Sequence, residues 1–208
     1  MKKIIYLIIF IIAMPIYSQQ THTFWGLPWE STQAQIIREL GAFDDIRRVQ
    51  EENREFLIYK GTDIAGHKSD LGIRLTGRKM DIATYIFEKE ISMPSESDYN
   101  DKLVAQLLDA YNDCLIYLTE KYGNPTEKQT LNYTKGKSIS IPEYVQILKG
   151  APYFAIWNLP NFNIMLWTQH FTGEKIRIMI YHMSDIAWKE GYTEIKASID
   201  KMRKERKE

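Results

Sequence analysis

Apolar positions recur at helical spacing in two stretches of the chain. In the first, Ile36, Ile37 and Leu40 share one face, and Thr32 with Gln35 matches a capping box that would open the helix. Gly41 is placed to end it in a left-handed cap. In the second, Leu103, Leu107, Ala110, Cys114 and Leu118 form a stripe, widened by Val104, Leu108, Tyr111, Leu115 and Tyr122. The spacing predicts a helix over 98–122, stopped by Gly123-Asn124-Pro125. Its stripe is broad enough to lie across a sheet.

Elsewhere the period is that of strands. Phe24 and Trp25 end a short apolar strand, and Gly26-Leu27-Pro28 turns the chain into the first helix. A polar connection over 44–54 leads to a strand at 55–60, then to a glycine-bearing loop over 61–69. Segments 71–76 and 79–88 read as a hairpin around Gly77-Arg78. A two-residue turn there places Leu75 opposite Met80, Ile73 opposite Ile82 and Arg74 opposite Asp81. Residues 126–150 carry no clear period. A strand at 153–157 follows, then a second hairpin, 162–171 with 175–183, across Gly173-Glu174.

In that second hairpin Met165, Trp167 and Phe171 would face His182, Ile180 and Ile176 on the core side. The other side would carry Ile164, Leu166, Thr168 and His170 against Arg177, Met179, Tyr181 and Met183. That side is unusually apolar for a wet face, so it is expected either to be covered or to be an interaction surface. The tail, 185–208, is helix-compatible with sparse apolar positions and is a candidate cover.

The order helix, strand, hairpin occurs twice. The expected fold is therefore α+β, built as two helix-plus-antiparallel-meander repeats with the helices packed on one sheet face. The expected units are 19–93 and 94–188, followed by a charged tail over 189–208.

Residues 1–18 read as a signal peptide, with Lys2 and Lys3 ahead of an apolar run from Ile4 to Ile12 and Ser18 at a cleavage point. The run is shorter than the ~20 residues of a membrane span, and no later stretch is longer. The chain is thus expected to be exported, periplasmic or extracellular, with no membrane span once the signal is removed. A content of 44% hydrophobic and 26% charged residues excludes a disordered chain. Formal net charge is zero, so neither nucleic acid nor an anionic lipid surface is expected as the main partner. Cys114 is the only cysteine, which rules out an internal disulfide.

The chemistry is sparse. No G-x-S-x-G, H-E-x-x-H, C-x-x-C or phosphate-binding glycine loop occurs, and His22, His67, His170 and His182 show no ligand spacing. No catalytic residue, metal or cofactor is expected. Asp109 and Asp113 share a helix face that reads as solvated. Five tryptophans and thirteen tyrosines are the informative excess, since rigid aromatic faces serve either a core or a binding platform. Trp25 and Trp29 can be read both ways, and packing beneath the meander is the expectation for them.

The stretch G-L-P-W-x-S-T-x-x-x-I-I-x-x-L-G, from Gly26 to Gly41, resembles the opening of small secreted bacterial proteins of uncharacterised function. There a G-x-P-[FW]-G turn leads into a short helix and a three-strand meander. Leu118 to Pro125 looks like their helix end, and the architecture is similar to that of β-lactamase-inhibitor-like domains. Glu30 stands where that turn carries its second glycine. The resemblance implies tandem helix-plus-three-strand units and no catalytic residues. The resulting expectation is an exported, non-enzymatic protein-interaction module. Its partner would be another protein or a second copy, meeting Leu166, His170, Arg177, Met179 and Tyr181. The competing readings are an envelope-glycan or small-ligand binder using exposed aromatics and, behind it, a hydrolase.

Overall fold

In the computed structural model, which describes residues 23–49, 53–87, 91–92, 101–129, 153–171 and 175–205, the strands form one large antiparallel sheet. Strands β1 (Thr23–Phe24) and β2 (Leu27–Pro28) make a separate short hairpin, followed by helix α1 (Gln33–Leu40). Strands β3 (Asp45–Val49), β4 (Arg54–Ile64), β5 (His67–Thr76) and β6 (Lys79–Phe87) form a meander. After β7 (Ile91–Ser92) and helix α2 (Asp101–Tyr122) come β8 (Glu127–Gln129), β9 (Phe154–Asn158), β10 (Phe162–Phe171) and β11 (Lys175–Ser184). Helix α3 (Asp185–Glu205) ends the described chain. The sheet order is β3-β4-β5-β6-β11-β10-β9-β8, with β7 pairing β11 off that path.

The chain is α+β, but the expectation of two helix-plus-meander repeats is overturned. Strands β6 and β11 pair directly, Ile180 opposite Tyr85, so the strands share one sheet. The polar connection at 44–54 holds an edge strand, β3, whose charged residues suit an unpaired edge. The helices do not share one face. Helix α2 buries Leu108, Tyr111, Cys114 and Leu118 with Leu57, Ile73, Tyr85, Leu166 and Ile180, and Ile36 of α1 joins the same core. Helix α3 lies on the other face, where Ala187 and Trp188 pack on Phe154, Ile156, Met165 and Met183. Among the described residues, no helix is long and apolar enough to cross a membrane.

Local signals account for the small elements. Thr32 Oγ1 accepts from Gln35 N–H at 3.4 Å, and Gln35 Oε1 accepts from Thr32 N–H at 2.8 Å, completing the capping box. Gly41 has the positive φ of 87° but an extended ψ of −173°, so the helix ends without a left-handed cap. Glu30 sits at φ 69°, in the left-handed region that favours glycine.

Register is where the fold departs from its sequence pattern. In the first hairpin Leu75 pairs Met80 as expected, but a bulge then sets Arg74 opposite Ile82 and Ile73 opposite Ala83. Ile82 is thereby turned onto the α3 side, where it packs with the Trp188 cluster. In the second hairpin Phe171 pairs Lys175, leaving three residues in the connection rather than two. Every cross-strand pair shifts by one, and the two strands exchange face partners. Segment 130–152 and the N-terminal residues 1–22 lie outside the described residues.

Candidate functional site

The first wall of the site is the β1–β2 hairpin. Phe24 pairs Leu27, so Trp25 and Gly26 are the two turn residues, with φ of 52° and 80°. Two successive positive φ values define a type I′ turn, which favours Asn, Asp or Gly. A tryptophan in left-handed backbone costs about 1 kcal/mol relative to such residues. The strain has a visible result: Trp25 stacks on Phe24, with ring planes 4° apart and centroids at 5.7 Å, while remaining 49% exposed. The hairpin is held by short bonds. Glu30 N–H donates to Met80 C=O and Met80 N–H donates to Ser31 C=O, both at 2.9 Å.

The second wall is the last turn of α2. Tyr117, Lys121 and Tyr122 lie there, just before Gly123, whose carbonyl accepts from Trp157 Nε1 at 2.8 Å. That bond fixes the helix end to β9. Tyr85 of β6, Phe162 of β10 and His182 of β11 form the floor, together with Phe24 and Ile64. The cavity is a partly open cleft of about 330 Å³, within the ~300–1,000 Å³ typical of small-molecule sites. The aromatic rings surround it rather than line one side. Trp25 and Tyr85 are 5.9 Å apart, and Tyr122 and Phe162 are 6.0 Å apart.

His182 is the polar centre of this floor. It is 5% exposed, and its Nδ1 is buried without a hydrogen-bond partner. Phe24, Tyr85 and Tyr122 surround the ring, at centroid distances of 5.1, 6.0 and 6.4 Å. Burial, and secondarily the charge of Lys121, lowers its pKa to about 3, so the imidazole is neutral near pH 7. Lys121 is charged. Partial burial opposes that charge, but Tyr122 and Tyr117 outweigh it and hold the ammonium above its ordinary pKa. Its Nζ sits 5.3 Å from the Tyr122 ring centroid and 5.7 Å from that of Tyr117. Burial likewise raises Tyr85.

The residues expected to form an interaction face do not come together. Leu166 is fully buried in the α2-side core, opposite Ile180. Met179 and Tyr181 lie on the α3 side, where Met179 is buried and Tyr181 donates to Met179 Sδ at 3.1 Å. Arg177 is half-buried and pairs Gln169, while His170 pairs Ile176. By alternation Arg177 belongs with Met179. The one-residue shift in register caused this split.

Sequence reasoning also placed Asp113 on a solvated face; instead its carboxylate meets His67 Nε2 at 3.2 Å, tying α2 to β5. Among the described residues no His, Cys, Asp or Glu cluster is fit to hold a metal ion. Cys114 is fully buried, and burial, then the nearby Asp113, pushes its thiol up to about 12. Trp29 is partly buried against the core, as expected, whereas Trp25 is offered to the cavity. Tyr85, Tyr117, Lys121, Tyr122, Phe162 and His182 were not singled out as site residues from sequence. Two signals pointed toward them: an aromatic-Gly dipeptide between short strands, and Tyr-Lys-Tyr at i, i+4 and i+5 of a helix end.

No protein-family model and no curated protein matches the chain. Two solved structures are similar at the level of partial superposition. One is a DUF4309 family protein from Bacillus subtilis, with 11% identity, a TM-score of 0.37, and coverage of 77% of this chain and 83% of that one. The other is a cysteine-rich secretory protein from Staphylococcus aureus, with 9% identity, a TM-score of 0.34, and coverage of 77% and 46%.

Proposed function

We propose that this chain is an exported, non-catalytic protein that binds a small ring-bearing ligand in the cavity between the β1–β2 turn and the end of α2. The observation that carries the reading is Trp25. A large aromatic side chain stands half-exposed at a strained turn position, over a cavity floored by a buried histidine whose Nδ1 has no partner. Strained backbone at a cavity rim supports a binding role, because the fold gains little from the strain itself. Export rests on the signal-like residues 1–18 of the sequence.

A free small molecule fits this lining better than an envelope glycan. A pyranose brings about five oxygen atoms, and each one left unpaired on burial costs ~1–3 kcal/mol. The Tyr117 and Tyr122 hydroxyls already bond Lys121, which leaves the Lys121 ammonium, the His182 ring and the Tyr85 hydroxyl, fewer groups than a pyranose has oxygens. The surface expected around Leu166 and Tyr181 offers less support for a protein partner, since those residues lie on opposite faces and Leu166 is buried.

Saturation-transfer NMR against single-ring fragments tests the reading. Fragments held by the wild-type chain are expected to be released by Trp25→Asn, a residue suited to the turn. Equal binding to both proteins, or binding to neither, would refute the site.

A further inference from the structure

We propose that the ligand is a small flat-ringed acid, its ring enclosed by Trp25, Tyr85 and Tyr122 and its anionic group paired with Lys121. This inference rests on the cavity being a ligand site and adds the charge and shape of what it takes.

The charge follows from the lining. Of the ten residues that line the cavity, Lys121 alone carries a formal charge near neutral pH. Among the described residues no carboxylate lines the cavity and Lys121 forms no ion pair. Its ammonium is nevertheless held in place, over the rings of Tyr117 and Tyr122. The Tyr117 and Tyr122 hydroxyls accept hydrogen bonds from it, and an anionic ligand would add the opposite charge that these neutral groups do not supply. The ammonium is exposed at the mouth of the site, so the pairing has the strength of a charge-assisted hydrogen bond that water can reach. A cationic ligand would meet repulsion from the same group.

The shape follows from the rings. Trp25 has one face occupied by Phe24, leaving the other for a ligand. Tyr85 is tilted 56° to Trp25, and Tyr122 lies edge-on to Phe162 at 77°. A flat ring can stack on the indole while its edge meets the tilted faces, the geometry aromatic groups favour. His182 supplies the remaining polar contact. Its neutral ring has one donor and one acceptor nitrogen, so it can satisfy either a ligand hydroxyl or a carboxylate oxygen. The sign of the ligand's charge is therefore assigned by Lys121, and His182 assigns only that a polar atom reaches the floor.

Isothermal titration of the full chain separates the possible outcomes. The probes are indole-3-acetate and benzoate as acids, with indole-3-ethanol and benzyl alcohol as neutral partners of the same rings. Each acid is expected to bind about tenfold or more tightly than its alcohol, as a charge-assisted hydrogen bond would give. Lys121→Met is expected to erase that difference by weakening the acids about tenfold more than the alcohols. If acids and alcohols bind wild type alike, or if Lys121→Met preserves the preference, the acid assignment is overturned and the site stands. If none of the four binds, the site and the assignment fall together.

Discussion

Arg74 and Asp81 meet in a bidentate pair although the β-ladder does not set them opposite one another. Arg74 Nε donates to Asp81 Oδ1 at 2.9 Å and Nη2 donates to Oδ2 at 2.6 Å, while the backbone pairs Arg74 with Ile82. The bulge residue supplies the carboxylate, so one extra residue both makes the pair and turns Ile82 toward α3. Both side chains are largely buried, at 14% and 16% exposed. Asp81→Ala should therefore cost about 2 kcal/mol, below the range for a fully buried pair but well above that of a surface one. Urea unfolding checks this, and a loss under about 0.5 kcal/mol would place the pair with ordinary surface ion pairs.

Trp25→Asn separates folding from binding. Asparagine relieves the left-handed strain, worth about 1 kcal/mol, and loses ring contacts of similar size. The two effects nearly cancel, so the thermal midpoint should move by only a few degrees while ligand binding is lost. A large fall in stability would mean that Trp25 serves the core.

His182 makes the native state sensitive to acid. Its folded pKa of about 3 lies below the ordinary value of 6.5. Below 6.5 the unfolded chain takes up a proton that the native chain refuses. Stability is thus full above pH 6.5 and falls as pH drops toward about 3, by about 1.4 kcal/mol per pH unit for this one group. Denaturant melts at pH 7.5 and 5, compared between wild type and His182→Phe, should show a shallower pH dependence in the variant. An identical slope would count against a buried neutral imidazole.

Cys114 should be silent toward thiol reagents in the native protein. It is fully buried, and its thiol is pushed up to about 12, so almost no thiolate is present near neutral pH. Ellman's reagent is expected to react only after denaturation. Rapid native labelling would show that the α2 face opens far more readily than its packing implies.

Trp188 anchors α3 over the sheet. It is 9% exposed and packs with Phe154, Ile156, Met165 and Met183. Trp188→Ala should cost about 3 kcal/mol, the lower end for removing a buried aromatic. The variant should also bind a hydrophobic dye where wild type does not. A stable, dye-silent variant would show that the helix holds without this anchor.

Much of the local structure was legible in the chain. The capping box at Thr32 and Gln35, the turn at Gly77-Arg78 and the helix stop at Gly123 each depend on residues a few positions apart, so short-range chemistry decides them. The apolar side expected of the second hairpin is divided between two covers: α3 packs on Tyr181 and Met183, while Ile164 and Leu166 lie in the α2-side core. The register of that hairpin was not legible. Its apolar residues occupy both faces, and a sequence apolar on both faces gives almost no preference between two registers one residue apart.

The cavity lies further still from what a pattern can show. Trp25, Tyr85, Lys121 and His182 come from a turn, a strand, a helix end and a second strand, and each reads in sequence as an ordinary core or surface residue. The sequence by itself determined where the first two helices and the Gly77-Arg78 turn fall, that no disulfide can form within it, and that aromatic residues are in excess. Only the tertiary structure decided that β6 pairs β11, which brings Tyr85 and His182 side by side beneath Trp25. Pairing between distant strands depends on the packing of whole faces, and no local preference along the chain encodes it.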